Sequence, residues 1–239
     1  MSGKTNYKDL PEFDAFGVWL ADRTKPTGNL PRYSIYQTSS ADGEYFLATD
    51  YGHPPTSDIL AALFNYVLYQ KAGLFGDIES YHVFTLLVAT IAVAVVFVFA
   101  SELYGLFAGI VAFLAIALSP YFIAESHTNI KDPVVAAFFA ATIYALYRGI
   151  VTIRWQWIVI SSICFGLALG TKPNVIFLPL IIGLWFVVAG KNIVQRVRRE
   201  SQQVRRRFVL SLVFYLFIPA LLVYATWPAL WHDPVGNVL

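Results

Sequence analysis

VFTLLVATIAVAVVFVFAS, residues 83–101, contains no charged side chain and decides the fold class of this chain. A helix of about 20 apolar residues matches the roughly 30 Å hydrocarbon core of a bilayer. Further charge-free runs occupy residues 103–124, 133–147, 155–171, 173–190 and 208–231. The sequence therefore predicts an all-α polytopic membrane protein with about six transmembrane helices.

The composition supports the same fold class. Hydrophobic residues make up 57% of the 239 residues and charged residues 13%, and the mean hydropathy is +0.59. A soluble domain of this size cannot bury so much apolar surface, so the bilayer is the expected solvent. Cys164 lies inside an apolar run and is the one cysteine, which indicates a packing role and excludes a disulfide within the chain.

Basic residues predict the orientation. One loop between the last two apolar runs contains Lys191, Arg196, Arg198, Arg199, Arg205, Arg206 and Arg207. Such loops stay in the cytoplasm and contact anionic headgroups, and their position beside spans argues against nucleic-acid binding. Arg148 and Arg154 fall on the same side. Polar clusters then fall on the exterior face, at residues 53–55, 126–133, 171–174 and 231–234.

The chain divides into two predicted regions. Residues 1–81 are expected to form an exterior or interfacial segment with short helices, and residues 82–239 a transmembrane helical domain. Apolar residues recur at helical spacing over 59–69, which favours an interfacial helix over the start of a packed span. An exterior segment of this length needs a preceding span for its translocation, and the sequence contains none before it. We therefore expect the sequence to be the N-terminal part of a longer membrane protein.

A dense polar cluster stands at the exterior start of the third apolar run. Asp132 can cap the helix that follows it, where the helix dipole also favours a carboxylate. His127, Asn129, Lys131 and Asp132 fall within six residues, which is more than one cap requires. The alternative is a polar site at the membrane surface.

Three further residues are candidates for the same site. Lys172 ends a span on the exterior side, where it can snorkel to the headgroups or bind a lipid-linked phosphate. His53 lies on a proline-rich turn and can be structural or contact a phosphate or sugar hydroxyl. Asp14, in an aromatic amphipathic stretch, is either a surface acid or a base for an incoming hydroxyl. No metal-ligand spacing stands out, so no cofactor is assigned and a divalent metal stays open.

These motifs occur in an order that resembles a known family. GHPP at 52–55, LSPYFIAESH at 118–127, KD at 131–132 and GLALGTKP at 166–173 are similar to segments of membrane glycosyltransferases of the GT-C fold. The closest group looks like the dolichyl-phosphate-mannose protein mannosyltransferase-like and aminoarabinose-transferase-like enzymes. The similarity covers roughly residues 50–235. It implies inverting transfer of a sugar, a hexose such as mannose, from a polyprenyl-phosphate donor.

The resemblance also implies roles for residues. An acid in the first exterior loop of the family acts as the base or positions the acceptor, and Asp14 is its best counterpart, with Asp42 and Glu44 as rivals. Ala15 follows Asp14 where the family has an Asp-Glu pair. The second acid of the family matches Asp132, which is therefore predicted to be catalytic together with Asp14. Its His/Lys-Pro-Pro segment and its lysine before the fifth span match two further residues, His53 and Lys172.

The resemblance further implies the partners and location. The partners would be the bilayer, a polyprenyl-phosphate-linked sugar and a protein, lipid or glycan acceptor, on the exterior face of a prokaryotic plasma membrane. Alternatives are a transporter or flippase and a non-catalytic scaffold. Transporters keep polar groups near the midplane on broken helices. Here the span centres carry no charge, and Pro179 and Pro219 are the main interior breakers, which favours surface chemistry.

Overall fold

The computed structural model describes residues 54–227 and 229–232. Regular structure in these ranges is helical, without a strand, which confirms the predicted all-α class. The predicted candidates Asp14, Asp42, Glu44 and His53 lie outside the described residues.

The described helices follow one another with short connections. In chain order they are α1 (Thr56–Asn65), α2 (Asp77–Tyr104), α3 (Leu106–Ala117), α4 (Pro120–Thr128), α5 (Asp132–Thr152), α6 (Trp155–Leu169), α7 (Leu178–Arg199), α8 (Gln202–Val213), α9 (Phe217–Thr226) and α10 (Ala229–His232). A π-helical turn, Tyr66–Lys71, extends α1, and a 3₁₀ helix, Pro173–Phe177, precedes α7. The helix predicted over 59–69 is thus present as α1 and this turn, while its interfacial position stays a prediction.

The chain divides into two units. Among the described residues, Ala62–Tyr81 belong to the first unit, and residues 54–61 and 82–232 belong to the second. In the first unit, the buried Asn65 amide donates to Asp77 Oδ1 at 2.6 Å and to the Asp77 carbonyl at 2.9 Å. These bonds join the end of α1 to the start of α2, because burial makes an unpaired amide or carboxylate costly.

Two helices, α2 and α5, are each long and apolar enough to cross a membrane. Three bent pairs raise the number of candidate spans to as many as 5 if each pair is one span: α3 with α4 at 58°, Pro173–Val188 with Gly190–Arg199 at 74°, and α8 with α9 at 44°. The apolar α6 has 15 residues, and at about 1.5 Å per residue it is shorter than the hydrocarbon core. The polytopic class holds, with fewer continuous spans than the apolar runs predict.

Two of the breaks follow from proline chemistry. At the α3–α4 break, the Ser119 side chain accepts the Phe122 N–H and Pro120 begins the new helix. In α9, Pro219 has no N–H to donate to the carbonyl of Tyr215. The Ser162 hydroxyl donates to this carbonyl instead. A neighbouring helix therefore satisfies the polar group that the bend exposes, as membrane burial requires.

Helices α5 and α6 form an antiparallel pair at the centre of the second unit. Glycines allow close packing: a Cβ on Gly149 would lie 2.5 Å from Ile158 Cδ1, and a Cβ on Gly166 would lie 2.9 Å from Pro219 Cα on α9. The buried Ser161 hydroxyl is within 2.8 Å of both the Thr142 carbonyl and the Tyr215 hydroxyl. Small residues and satisfied hydroxyls thus join α5, α6 and the α8–α9 pair.

Large apolar side chains remain exposed on the outer helices. Leu106 and Phe107 on α3 and Val187 and Val188 on α7 are examples. Such an apolar surface is unfavourable in water on a monomeric protein, whereas lipid tails would cover it. The exposed apolar surface therefore agrees with an integral membrane protein.

Contacts at the helix ends define two ends of the second unit. Asp132, which begins α5, pairs with Lys172 beyond the end of α6, and we call this the lysine end. At the opposite end of α5, Arg148 Nη1 lies 3.0 Å from Glu102 Oε1, and Arg196 Nη2 donates to the Val151 carbonyl at 2.5 Å. We call this the arginine end, and it contains the basic segment around α8.

Candidate functional site

The centre of the candidate site is the ion pair between Asp132 and Lys172 at the lysine end. Asp132 Oδ1 accepts from Lys172 Nζ, and Asp132 Oδ2 accepts from Asn129 Nδ2 at 2.8 Å. Both side chains are partly exposed, Lys172 at 26% and Asp132 at 40%. The pair is therefore held in place by its partners and still open to a ligand.

Lys172 owes its position to the end of α6. The helix stops at Leu169, and Lys172 has an extended backbone with φ −143° and ψ 131°. Pro173 follows, and a residue before proline avoids helical angles for steric reasons. The local sequence thus ends the helix and turns the chain before the 3₁₀ helix begins.

Asn129 caps the start of α5 and bridges two carboxylates. Its Oδ1 accepts the N–H of Lys131 at 2.8 Å and the N–H of Asp132 at 3.1 Å. Its Nδ2 donates to Glu125 Oε2 and to Asp132 Oδ2, both at 2.8 Å. Asn129 therefore satisfies N–H groups that the start of a helix leaves free. The carboxylate of Asp132 accepts hydrogen bonds from Lys172 and Asn129 and does not act as this cap.

Glu125 and Asp58 join the cluster, although sequence reasoning did not select them as site residues. Glu125 lies four residues before Asn129, a helical spacing that the sequence does show. Asp58 Oδ2 lies 3.7 Å from Lys131 Nζ. No local pattern links Asp58 to Lys131, because α1 approaches through tertiary contacts alone. With Asp58, Glu125 and Asp132, the lysine end gathers three carboxylates beside two lysines.

The start of α1 is fixed beside the Lys172 loop. The Thr56 N–H donates to the Gly170 carbonyl at 2.9 Å, and the Thr56 hydroxyl lies 3.0 Å from that of Thr226 on α9. A Cβ on Gly170 would collide with Thr56 Oγ1. Pro54 is fully buried. The segment that follows His53 is therefore packed at the same end of the unit as Lys172.

The structure brings four of the predicted residues together: Asn129, Lys131, Asp132 and Lys172. His127 is exposed, and its Nδ1 lies 2.7 Å from the Ile123 carbonyl of its own helix. The described contacts do not bring it to Asp132 or Lys172. Asp14 and His53 lie outside the described residues, so their predicted roles stay predictions.

The ammonium of Lys172 can accept a further ligand beside its carboxylate partner. An ammonium has three N–H donors, and Asp132 is the described partner of Lys172. A phosphate can therefore join without displacing the carboxylate. Within residues 54–227 and 229–232, no group of three or more His, Cys, Asp or Glu side chains is arranged to hold a metal ion.

Comparison with known families adds to this geometry. The family described as dolichyl-phosphate-mannose-protein mannosyltransferase matches residues 52–223, which include every residue of the lysine-end cluster. Comparisons with curated proteins and with solved structures gave no match. Because the family match covers well over half of the sequence, the chain belongs to the dolichyl-phosphate-mannose-protein mannosyltransferase family.

Proposed function

We propose that this protein transfers a hexose such as mannose from a polyprenyl-phosphate donor to a protein, lipid or glycan acceptor. Family membership supports a membrane glycosyltransferase, and the apolar helices suit a donor with a lipid tail. The observation that carries the proposal is the partly exposed Asp132–Lys172 pair, fixed by Asn129 at the lysine end.

Lys172 is proposed to bind the donor phosphate. In the transfer, the acceptor hydroxyl attacks the anomeric carbon from the face opposite the phosphate, and the bond between that carbon and the phosphate oxygen breaks. The leaving polyprenyl phosphate gains negative charge, which a fixed ammonium stabilises. Asp132 holds Lys172 in its orientation, so that little reorganisation is needed during the reaction.

The proton of the acceptor hydroxyl needs a base. Both oxygens of Asp132 already accept hydrogen bonds, which suits a positioning role better than proton abstraction. We therefore assign the base to Asp14, with Asp42 and Glu44 as the other candidates. A positioned base contributes about 10²–10⁴-fold to such a step. His53 and Lys131 are proposed to contact the phosphate or the sugar, and a divalent metal remains open.

The lysine end is proposed to face the exterior. Basic segments stay in the cytoplasm, and Arg196 and Arg207 belong to the arginine end, opposite Lys172. In this orientation residues 1–81 form the exterior or interfacial segment that supplies the base, and residues 82–239 form the transmembrane domain. A prokaryotic plasma membrane would supply a donor on this face.

The test is a transfer assay in membranes that contain the protein, with radiolabelled mannosyl-phospho-polyprenol as donor. Lys172→Met should reduce the rate by about 10²–10³-fold, the loss that follows removal of one charge-stabilising group. Lys191→Met is the matched control, because Lys191 is an exposed lysine on α7 away from the cluster. Equal rates for the two variants would reject Lys172 as a phosphate ligand, and no transfer by the unaltered protein from any polyprenyl-phosphate hexose would reject the proposed donor.

A further inference from the structure

A cavity lies at the arginine end, away from the lysine-end cluster. Its volume is about 600 Å³, which is within the range of small-molecule sites. It is bounded by the α5–α6 connection and the start of α8. Its polar and aromatic lining comes mainly from Arg154, Trp155, Trp157, Glu200, Gln203 and Arg207.

The charge of this cavity favours an anion. The guanidinium groups of Arg154 and Arg207 form no ion pair with a described residue. Arg148 and Arg196 differ, because they bind Glu102 and the Val151 carbonyl. Two guanidinium groups therefore line the cavity beside the single carboxylate of Glu200. Planar guanidinium groups bind phosphate oxygens in pairs.

The aromatic lining suits a cavity at the level of lipid headgroups. Trp155 begins α6 and is partly exposed. Trp157 is held by Arg148, whose guanidinium carbon lies 5.6 Å from the ring centroid, and by a T-shaped contact with Tyr144. Tryptophan is enriched where a helix enters the membrane–water interface. The cavity thus combines cationic groups with apolar ring surface, as a ligand with a phosphate and an apolar part requires.

We propose that this cavity binds a phosphate ester, with Arg154 and Arg207 on the phosphate oxygens and the tryptophan rings against the adjoining carbon chain. The ester can come from an anionic lipid of the adjacent leaflet or from a water-soluble metabolite. The bound phosphate would join the α5–α6 connection to α8. This site is separate from sugar transfer and does not depend on the proposed function.

The test measures phosphate-ester binding to the full chain in phosphatidylcholine nanodiscs. Phosphatidylglycerol in the disc is one arm, and glycerol phosphate in solution is the other. The double variant Arg154→Gln with Arg207→Gln should weaken binding at least about tenfold, because two charge-assisted contacts are lost. The control is Arg205→Gln with Arg206→Gln, which removes the same charge from side chains outside the cavity lining and should change binding by less than about twofold.

Each outcome decides the proposal. Binding of phosphatidylglycerol with this variant pattern supports a lipid headgroup, and the same pattern for glycerol phosphate supports a soluble ester. Equal weakening by both double variants, or no saturable binding in either arm, overturns the site. If the glutamine variant does not fold, Arg154→Lys with Arg207→Lys replaces it, because lysine keeps the charge and loses the planar fork. Wild-type binding by this lysine variant would also overturn the proposed contact.

Discussion

The lysine end and the arginine end of the second unit both collect charged residues, but they organise them differently. At the lysine end, Asp132 binds Lys172 and Asn129, and Lys131 lies beside Asp58. At the arginine end, Arg198, Arg199, Arg205 and Arg206 are exposed and form no ion pair with a described residue. The charges of the lysine end are therefore held by neighbouring side chains, whereas these four arginines are not.

The difference has a physical cause. Arg198, Arg199, Arg205 and Arg206 lie outside the cavity lining, and we expect them to fulfil a topological role through their charge alone, solvated by water without fixed partners. A charge that must bind a phosphate during a reaction acts best when it is already oriented. The lysine end has this property, since each carboxylate or amide of the cluster restricts its neighbour. Substitutions should therefore have large and coupled effects on sugar transfer at the lysine end and small, separate effects on sugar transfer at the arginine end.

The largest expected effect comes from the Asp132–Lys172 pair. Lys172→Met should lower transfer by about 10²–10³-fold, and Asp132→Asn by about tenfold or more, because it releases the lysine. The two losses should not add, since both remove one interaction. Initial transfer rates of the wild type, the two single variants and the double variant give the coupling free energy between Asp132 and Lys172. Strictly additive losses of transfer rate would show that Asp132 and Lys172 act independently. This result would contradict the coupling that we expect at the lysine end.

A second effect concerns the stability of the lysine end. Gly170→Ala should lower the free energy of unfolding by about 1–3 kcal/mol, because its Cβ would collide with Thr56 Oγ1. Gly183→Ala is the matched control, since a Cβ on Gly183 meets nothing within 4 Å. This control should be neutral or stabilising by up to about 1 kcal/mol, as alanine favours a helix. Thermal unfolding in detergent measures both, and equal shifts would refute the proposed role of close packing.

A smaller effect separates the two functions of Asn129. Asn129→Ala removes the cap of α5 and the bridge between Glu125 and Asp132, so we expect about tenfold slower transfer and a loss of about 1 kcal/mol of stability. Asn129→Asp keeps an oxygen for the N–H groups but places a fourth carboxylate in the cluster. It should retain more of the stability and still transfer slowly. Normal transfer by Asn129→Asp would show that Asn129 is a cap alone.

The smallest effect is expected at the arginine end. Arg198→Gln should change transfer by less than about twofold and stability by less than about 0.5 kcal/mol, because Arg198 is exposed and surface substitutions away from special contacts are nearly neutral. The same transfer and unfolding assays compare Arg198→Gln with Lys172→Gln, which also replaces a cation by glutamine but at the lysine end. Similar losses in the two glutamine variants would remove the distinction between the ends.

Much of the fold could be predicted from apolar runs, since a bilayer fixes their length. Residues 83–101 lie in α2 and residues 133–147 in α5, as the sequence predicts. The bends were predicted only as breaks at Pro179 and Pro219, without the side chains that satisfy the freed backbone groups. Pro219 marks a break, but the length of apolar sequence does not reveal that Ser162 on another helix would satisfy the carbonyl of Tyr215. Tertiary partners decide whether an apolar run stays straight.

Most residues of the candidate site could be predicted from the sequence, but most of the hydrogen bonds and ion pairs between them could not. Local clustering selected Asn129, Lys131 and Asp132, and the position at a span end selected Lys172. The structure brings these four residues together. Spacing alone did not distinguish Asp132 as a cap from Asp132 as a partner of Lys172, because both fit the start of a helix. The structure assigns the cap to Asn129. The approach of Asp58 to Lys131 depends on packing between distant segments, so no local motif could predict it.

The central claim is that the lysine end faces the exterior and the arginine end faces the cytoplasm. Labelling of single cysteines at the two ends from one side of the membrane tests it most directly. In a Cys164→Ala background, His127→Cys places a thiol on exposed α4 at the lysine end, and Arg205→Cys places one on exposed α8 at the arginine end. Both would be treated with a membrane-impermeant maleimide in sealed right-side-out vesicles. We expect His127→Cys to be labelled in intact vesicles and Arg205→Cys to be labelled after permeabilisation. Labelling of both from the same side, or in the reverse order, would contradict the proposal that the lysine end faces the exterior.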